Sequence, residues 1–156
     1  MRWIVLLCLM ASPVLASEDI PDQYPGSPLY YKPIEVIPNV WSAIGATAPP
    51  TYENSGHNNN LSFIVTGDGV IVINGGAAYI LAQALHAEIQ AITDQPVKLV
   101  IDENGQGHAM LGNSYWAEQG IPILAHVDAA HEFEERGSRL LEGMKRYNRD
   151  KAEGTF

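Results

Sequence analysis

Two runs of β-branched and aromatic residues, Leu61-Ser62-Phe63-Ile64-Val65-Thr66 and Val70-Ile71-Val72-Ile73-Asn74, flank Gly67-Asp68-Gly69. Such runs favour extended backbone, and the glycines supply the positive-φ positions of a tight reversal, so the pair is expected as a β-hairpin. After Gly75-Gly76 the period changes: Leu81, Leu85, Ile89 and Ile92 recur at helical spacing. This predicts an amphipathic helix over about 77–93 with one buried stripe, ended by Pro96. Residues 97–101 then read as a buried strand, parallel to 70–74 if the helix is a right-handed crossover. A loop over 102–107, a helix over about 108–119 capped by Gly120, and a short strand over 121–125 follow. The stretch from 128 to about 151 reads as mostly helical, with a break at Gly137 and an apolar stripe of Leu140, Leu141, Met144 and Tyr147. Upstream, 34–44 suits an edge strand interrupted at Pro38, and 45–60 a polar loop holding His57. The lead-in over 17–33 carries Pro21, Pro25, Gly26, Pro28 and Pro33 and is expected to be extended. The element order is that of an α/β protein.

Composition narrows the function. At 156 residues and 46% hydrophobic the chain can bury the core of one domain. A net charge of −9, with no block of like charge, argues against a nucleic-acid partner. The first sixteen residues have the make-up of a secretory signal peptide: Arg2, then an apolar run including Ile4, Val5, Leu6, Leu7 and Leu9, then Val14-Leu15-Ala16 before Ser17. The run is too short for a membrane span, so a periplasmic or secreted destination is expected, with cleavage after Ala16. Cys8, the only cysteine, lies inside that run. A processed chain would have no thiol, which excludes disulfides, thiolate ligands and a cysteine nucleophile. No G-x-S-x-G elbow is present. Gly105-Gln106-Gly107 begins a dinucleotide fingerprint, but Met110 stands where its third glycine belongs.

The segments 60–75, 92–98, Gly107-His108-Ala109-Met110-Leu111-Gly112-Asn113 and Ile123-Leu124-Ala125-His126 together resemble the N-terminal half of the metallo-β-lactamase superfamily, over about 34–137. The resemblance implies half of an αββα sandwich, a mixed sheet with flanking helices. It also implies a strand ending in H-x-H-x-D-H, whose imidazoles and carboxylate surround one or two zinc ions. Such a metal lowers the pKa of a bound water and polarises the substrate. Carried over by position, Glu103 stands for the first His, Gly105 for the second, Gly107 for the Asp, and His108 for the last His; Asn74 replaces the Asp of the preceding turn. Glu103 and His108 are therefore the candidate metal ligands, for one zinc ion at most.

Members of the superfamily continue with further strands and helices that carry a late Asp and His. The chain is accordingly expected to be the first half of a longer parent, marginally stable alone, with one face of its sheet bare for a partner chain. The implied function is metal-assisted hydrolysis of a small substrate. The alternative is a non-catalytic relative acting as a binding module or partner subunit. His57 falls in the loop that overhangs the family's site, with a surface imidazole favoured. His86, His126 and His131 are expected to be structural, and Asn104, Gln106 and Asn113 to hydrogen-bond across the loop. Glu132, Glu134 and Glu135 read as a solvated helix face.

Overall fold

The hairpin read from the two β-branched runs forms as expected in the computed structural model, which describes residues 24–156. The reading of residues 1–16 as an export signal lies outside these residues. Leu61–Val65 (β3) pairs antiparallel with Val70–Ile73 (β4), and the Thr66 N–H donates to the Gly69 carbonyl at 2.9 Å to close the turn. Helix α1, Tyr79–Ile92, crosses over to Val97–Asp102 (β5), which runs parallel to β4. Ile123–Ala125 (β6) adds parallel to β5. With Ile34–Ile37 (β1) and Val40–Ala43 (β2) the result is one six-stranded mixed sheet in the order β1 to β6.

Three expectations need correction. The 34–44 segment is not one interrupted edge strand but a second hairpin, β1 against β2. Pro38 presets a turn, and Asn39 takes the left-handed conformation (φ 67°) while its N–H donates to the Glu35 carboxylate at 2.9 Å. The helix over 108–119 is two short helices, Gly107–Met110 (α2) and Asn113–Glu118 (α3). The chain bends between them because Gly112 is pinned to the end of β4: its N–H donates to the Gly76 carbonyl at 2.6 Å, and a Cβ there would lie 2.1 Å from the Gly75 oxygen. Finally, Val127–Asn148 (α4) runs unbroken through Gly137, whose backbone is covered by the Phe133 ring. A single glycine costs a helix about 1 kcal/mol, which a helix of 22 residues absorbs.

The sheet has two unlike faces. On one, Phe63, Val72 and Val100 are fully buried under Leu81, Leu85 and Ile89 of α1 and Trp116 of α3. On the other, Ile64, Ile71, Ile73, Leu99 and Ile101 are only half-buried, and Leu124 is 54% exposed. Helix α4 does not cover that second face. It packs across the carboxyl ends of the strands, where Met144 meets Leu111 and Ala78. No helix among the described residues is long and apolar enough to cross a membrane.

Candidate functional site

In sheets with parallel strands, the loops at the carboxyl ends are where a binding crevice forms. Here that rim is built from the ends of β4 and β5. Asp102, the last residue of β5, is buried, and its carboxylate accepts from the Gly75 N–H at 2.9 Å and the Asn113 side-chain amide at 2.7 Å. Burial pushes its pKa up to about 6, and the two hydrogen bonds offset this only in part. Asn74 adopts φ 70°, and its side-chain oxygen accepts from the Glu103 N–H at 3.2 Å. The Trp116 indole N–H donates to the Gly75 carbonyl at 3.1 Å. Asn113 also fixes Gly75 as a glycine, since an added Cβ would fall 2.0 Å from the Asn113 Oδ1. These contacts lock the two strand ends together, so Asp102 is a fastener facing inward.

The loop beyond it closes on itself. Asn104 Oδ1 accepts from the Gln106 N–H at 2.9 Å, a local Asx turn. Gly105 meets the amino-terminal turn of α4, where a Cβ would lie 2.5 Å from the Ala129 carbonyl. Close approach of the two backbones explains that glycine. Of the sequence-predicted ligands, Glu103 is exposed and His108 is half-buried. Burial lowers the His108 pKa, and the nearby Glu103 charge partly restores it. The loop therefore brings these two together, but it supplies no further imidazole, thiolate or free carboxylate: Gly105 and Gly107 have no side chain, Asn104 and Gln106 offer only neutral amides, and Asp102 is committed to Gly75 and Asn113. Zinc sites draw three or four protein ligands. Among the described residues no group of three or more His, Cys, Asp or Glu is arranged to hold a metal ion, so the residues present do not fit a zinc centre.

The remaining histidines have other duties. His57 is fully buried, not a surface imidazole, and its Nδ1 accepts from the Tyr30 N–H at 2.8 Å. His86 pairs with the Tyr115 hydroxyl at 2.8 Å and leans on the Trp116 ring. His126 caps α4 by accepting from the Asp128 N–H at 3.2 Å. His131 is exposed on α4.

Beside His108 a cleft of about 500 Å³ opens between α2 and α4. Gln106, His108 and, from the 45–60 loop, Asn58 line one wall; Arg136, Arg139, Gly143, Arg146 and Tyr147 of α4 line the other. No carboxylate lines it. Three of the nine cationic side chains of an acidic protein thus face one hollow. These arginines escape a sequence reading that sees only an apolar stripe beside a solvated charged face. Their spacing, 136, 139 and 146 with Gly143 between, is the signal that would have found them. A hollow of about 470 Å³ at the opposite end of β5 has three glutamines, Asp94 and His86 among its lining, and His86 is already bound to Tyr115.

Solved structures similar to this chain share its architecture. A metallo-β-lactamase from Erythrobacter litoralis matches with a TM-score of 0.54 at 17% identity, over 67% of this chain and 45% of its own. One from Pontibacter korlensis matches at 0.55 and 20%, over 67% and 47%. The mono-zinc form of one from Pseudomonas aeruginosa matches at 0.54 and 15%, over 67% and 46%. The chain carries part of the metallo-β-lactamase fold. It spans less than half the length of these structures. No protein-family model matches the sequence, and no curated protein does.

Proposed function

We propose that this chain is a ligand-binding module on a metallo-β-lactamase half-fold, without metal-assisted hydrolysis of its own. The observation that carries the reading is the donor set at the end of β5, one half-buried imidazole and one exposed carboxylate where the fold's metal motif places four ligands. Such a pair can hydrogen-bond a ligand but cannot hold zinc firmly enough to activate water. Its cleft supplies the neighbouring amides and cations. Export to the periplasm or beyond belongs to the same proposal and is supported by the residue pattern before Ser17. A second reading, a subunit that pairs with a chain completing the sandwich, is favoured by the half-buried face of Ile64, Ile71, Ile73, Leu99 and Ile101.

Zinc titration of the full chain by calorimetry tests the main reading. The expected outcome is no stoichiometric binding and no change on His108→Ala. One zinc ion per chain, lost in His108→Ala or Glu103→Gln, would restore the zinc-hydrolase alternative.

A further inference from the structure

We propose that the cleft between α2 and α4 takes an elongated ligand with an anionic oxygen group, carboxylate or phosphate, at each end. This rests on the binding-module reading and specifies what the module binds. The three arginines lie on one face of α4, at intervals of three and seven residues. At 1.5 Å per residue, Arg139 and Arg146 are separated by about 10 Å along the helix axis. A single compact anion therefore meets one end of the row, whereas a rod about that long meets both. Arg136 is tied to Glu132 of its own helix, but Arg139 and Arg146 make no ion pair among the described residues. Between them Gly143 leaves the wall open: a Cβ there would meet nothing nearer than the Arg146 guanidinium at 3.8 Å. The middle of the ligand would lie over Gly143 and the apolar flank of Leu140, with His108 opposite. Guanidinium groups suit both carboxylate and phosphate because their planar N–H fork matches two oxygens.

The test uses decanedioate, whose carboxylates are about 11 Å apart when extended, against acetate, inorganic phosphate and a bisphosphate of similar length. Binding to the full chain is followed by calorimetry at low salt, where exposed charges are least screened. The decanedioate is expected to bind at least about tenfold more tightly than acetate, and Arg139→Gln or Arg146→Gln to weaken it about tenfold each. A bisphosphate that outcompetes decanedioate identifies a phosphorylated ligand, and the reverse a dicarboxylate. Equal affinity for acetate and decanedioate, or indifference to both arginine variants, overturns the proposal. Both arginines are exposed, so circular dichroism should show the variants folded. Zinc titrated into the same samples separates the two readings. Failure with decanedioate and no zinc uptake removes only the anion inference, whereas stoichiometric zinc uptake removes the binding-module reading itself.

Discussion

The imidazole of His57 is enclosed on all sides, and its Nδ1 lone pair holds the Tyr30 N–H of the lead-in, so it must stay neutral for the lead-in to dock. Burial lowers its pKa from 6.5 to about 4, and the backbone of Ala43 and Asn59 offsets that only in part. The unfolded chain protonates near the ordinary value and so binds more protons than the folded chain between these limits. Stability contributed by the neutral ring is thus present above pH 6.5 and is lost as pH falls through about 4. The loss amounts to about 3 kcal/mol. Urea midpoints measured from pH 7 to pH 4 should fall accordingly, and His57→Asn, which keeps an acceptor near the Nδ1 position, should flatten the fall while lowering stability at pH 7. A midpoint as pH-dependent in His57→Asn as in the parent would assign the acid sensitivity elsewhere. This burial is illegible locally, because the surrounding Ser, Gly and Asn residues have the composition of a solvated loop. Asp102 was hidden similarly: as a strand-end carboxylate it looks solvated, and only the approach of Gly75 and Asn113 shows that it points inward.

Elements were more legible than residues because each follows from a local pattern. The period of two in 61–74 and the helical spacing of Leu81, Leu85 and Ile89 both report which face is buried, and β3, β4 and α1 form where those patterns lie. Of the misread elements, the β1–β2 hairpin turns on local chemistry at Pro38 and Asn39, whereas the split between α2 and α3 is settled by a distant contact. Nothing local divides α2 from α3; the division comes from Gly112 resting on the end of β4. Glycine also misled in α4, where a break was expected at Gly137 and the helix continues. Gly143, in the same helix, has helical backbone and open space where a side chain would go. Gly143→Ala should therefore stabilise α4 by about 0.5–1 kcal/mol through the lost freedom of the unfolded chain. Thermal unfolding should show a raised midpoint, and a lowered one would mean that α4 needs its glycine for packing that the open space does not reveal.

At the scale of the molecule the unequal faces of the sheet decide the behaviour. The covered face is closed by α1 and α3, whereas the other presents a continuous apolar surface from Ile64 through Ile71, Ile73, Leu99 and Ile101 to the exposed Leu124 of edge strand β6. Burial of apolar surface gains about 25 cal/mol per Å², so a patch of this kind is a driving force for association. The −9 net charge opposes association at low ionic strength and loses that influence as salt screens it. Sedimentation of the full chain should therefore show self-association that grows with protein concentration and with added salt, accompanied by binding of an apolar dye. Placing a lysine at the exposed edge, Leu124→Lys, together with Ile71→Thr on the open face, should reduce both signals. Leu124 is too exposed for its loss to unfold the chain, and thermal melts of the single Leu124→Lys variant separate surface effects from destabilisation. A parent chain that stays monomeric at all concentrations and binds no dye would mean that half-buried isoleucines on this face already suffice without a second layer, and the reading as a subunit awaiting a partner would lose its support.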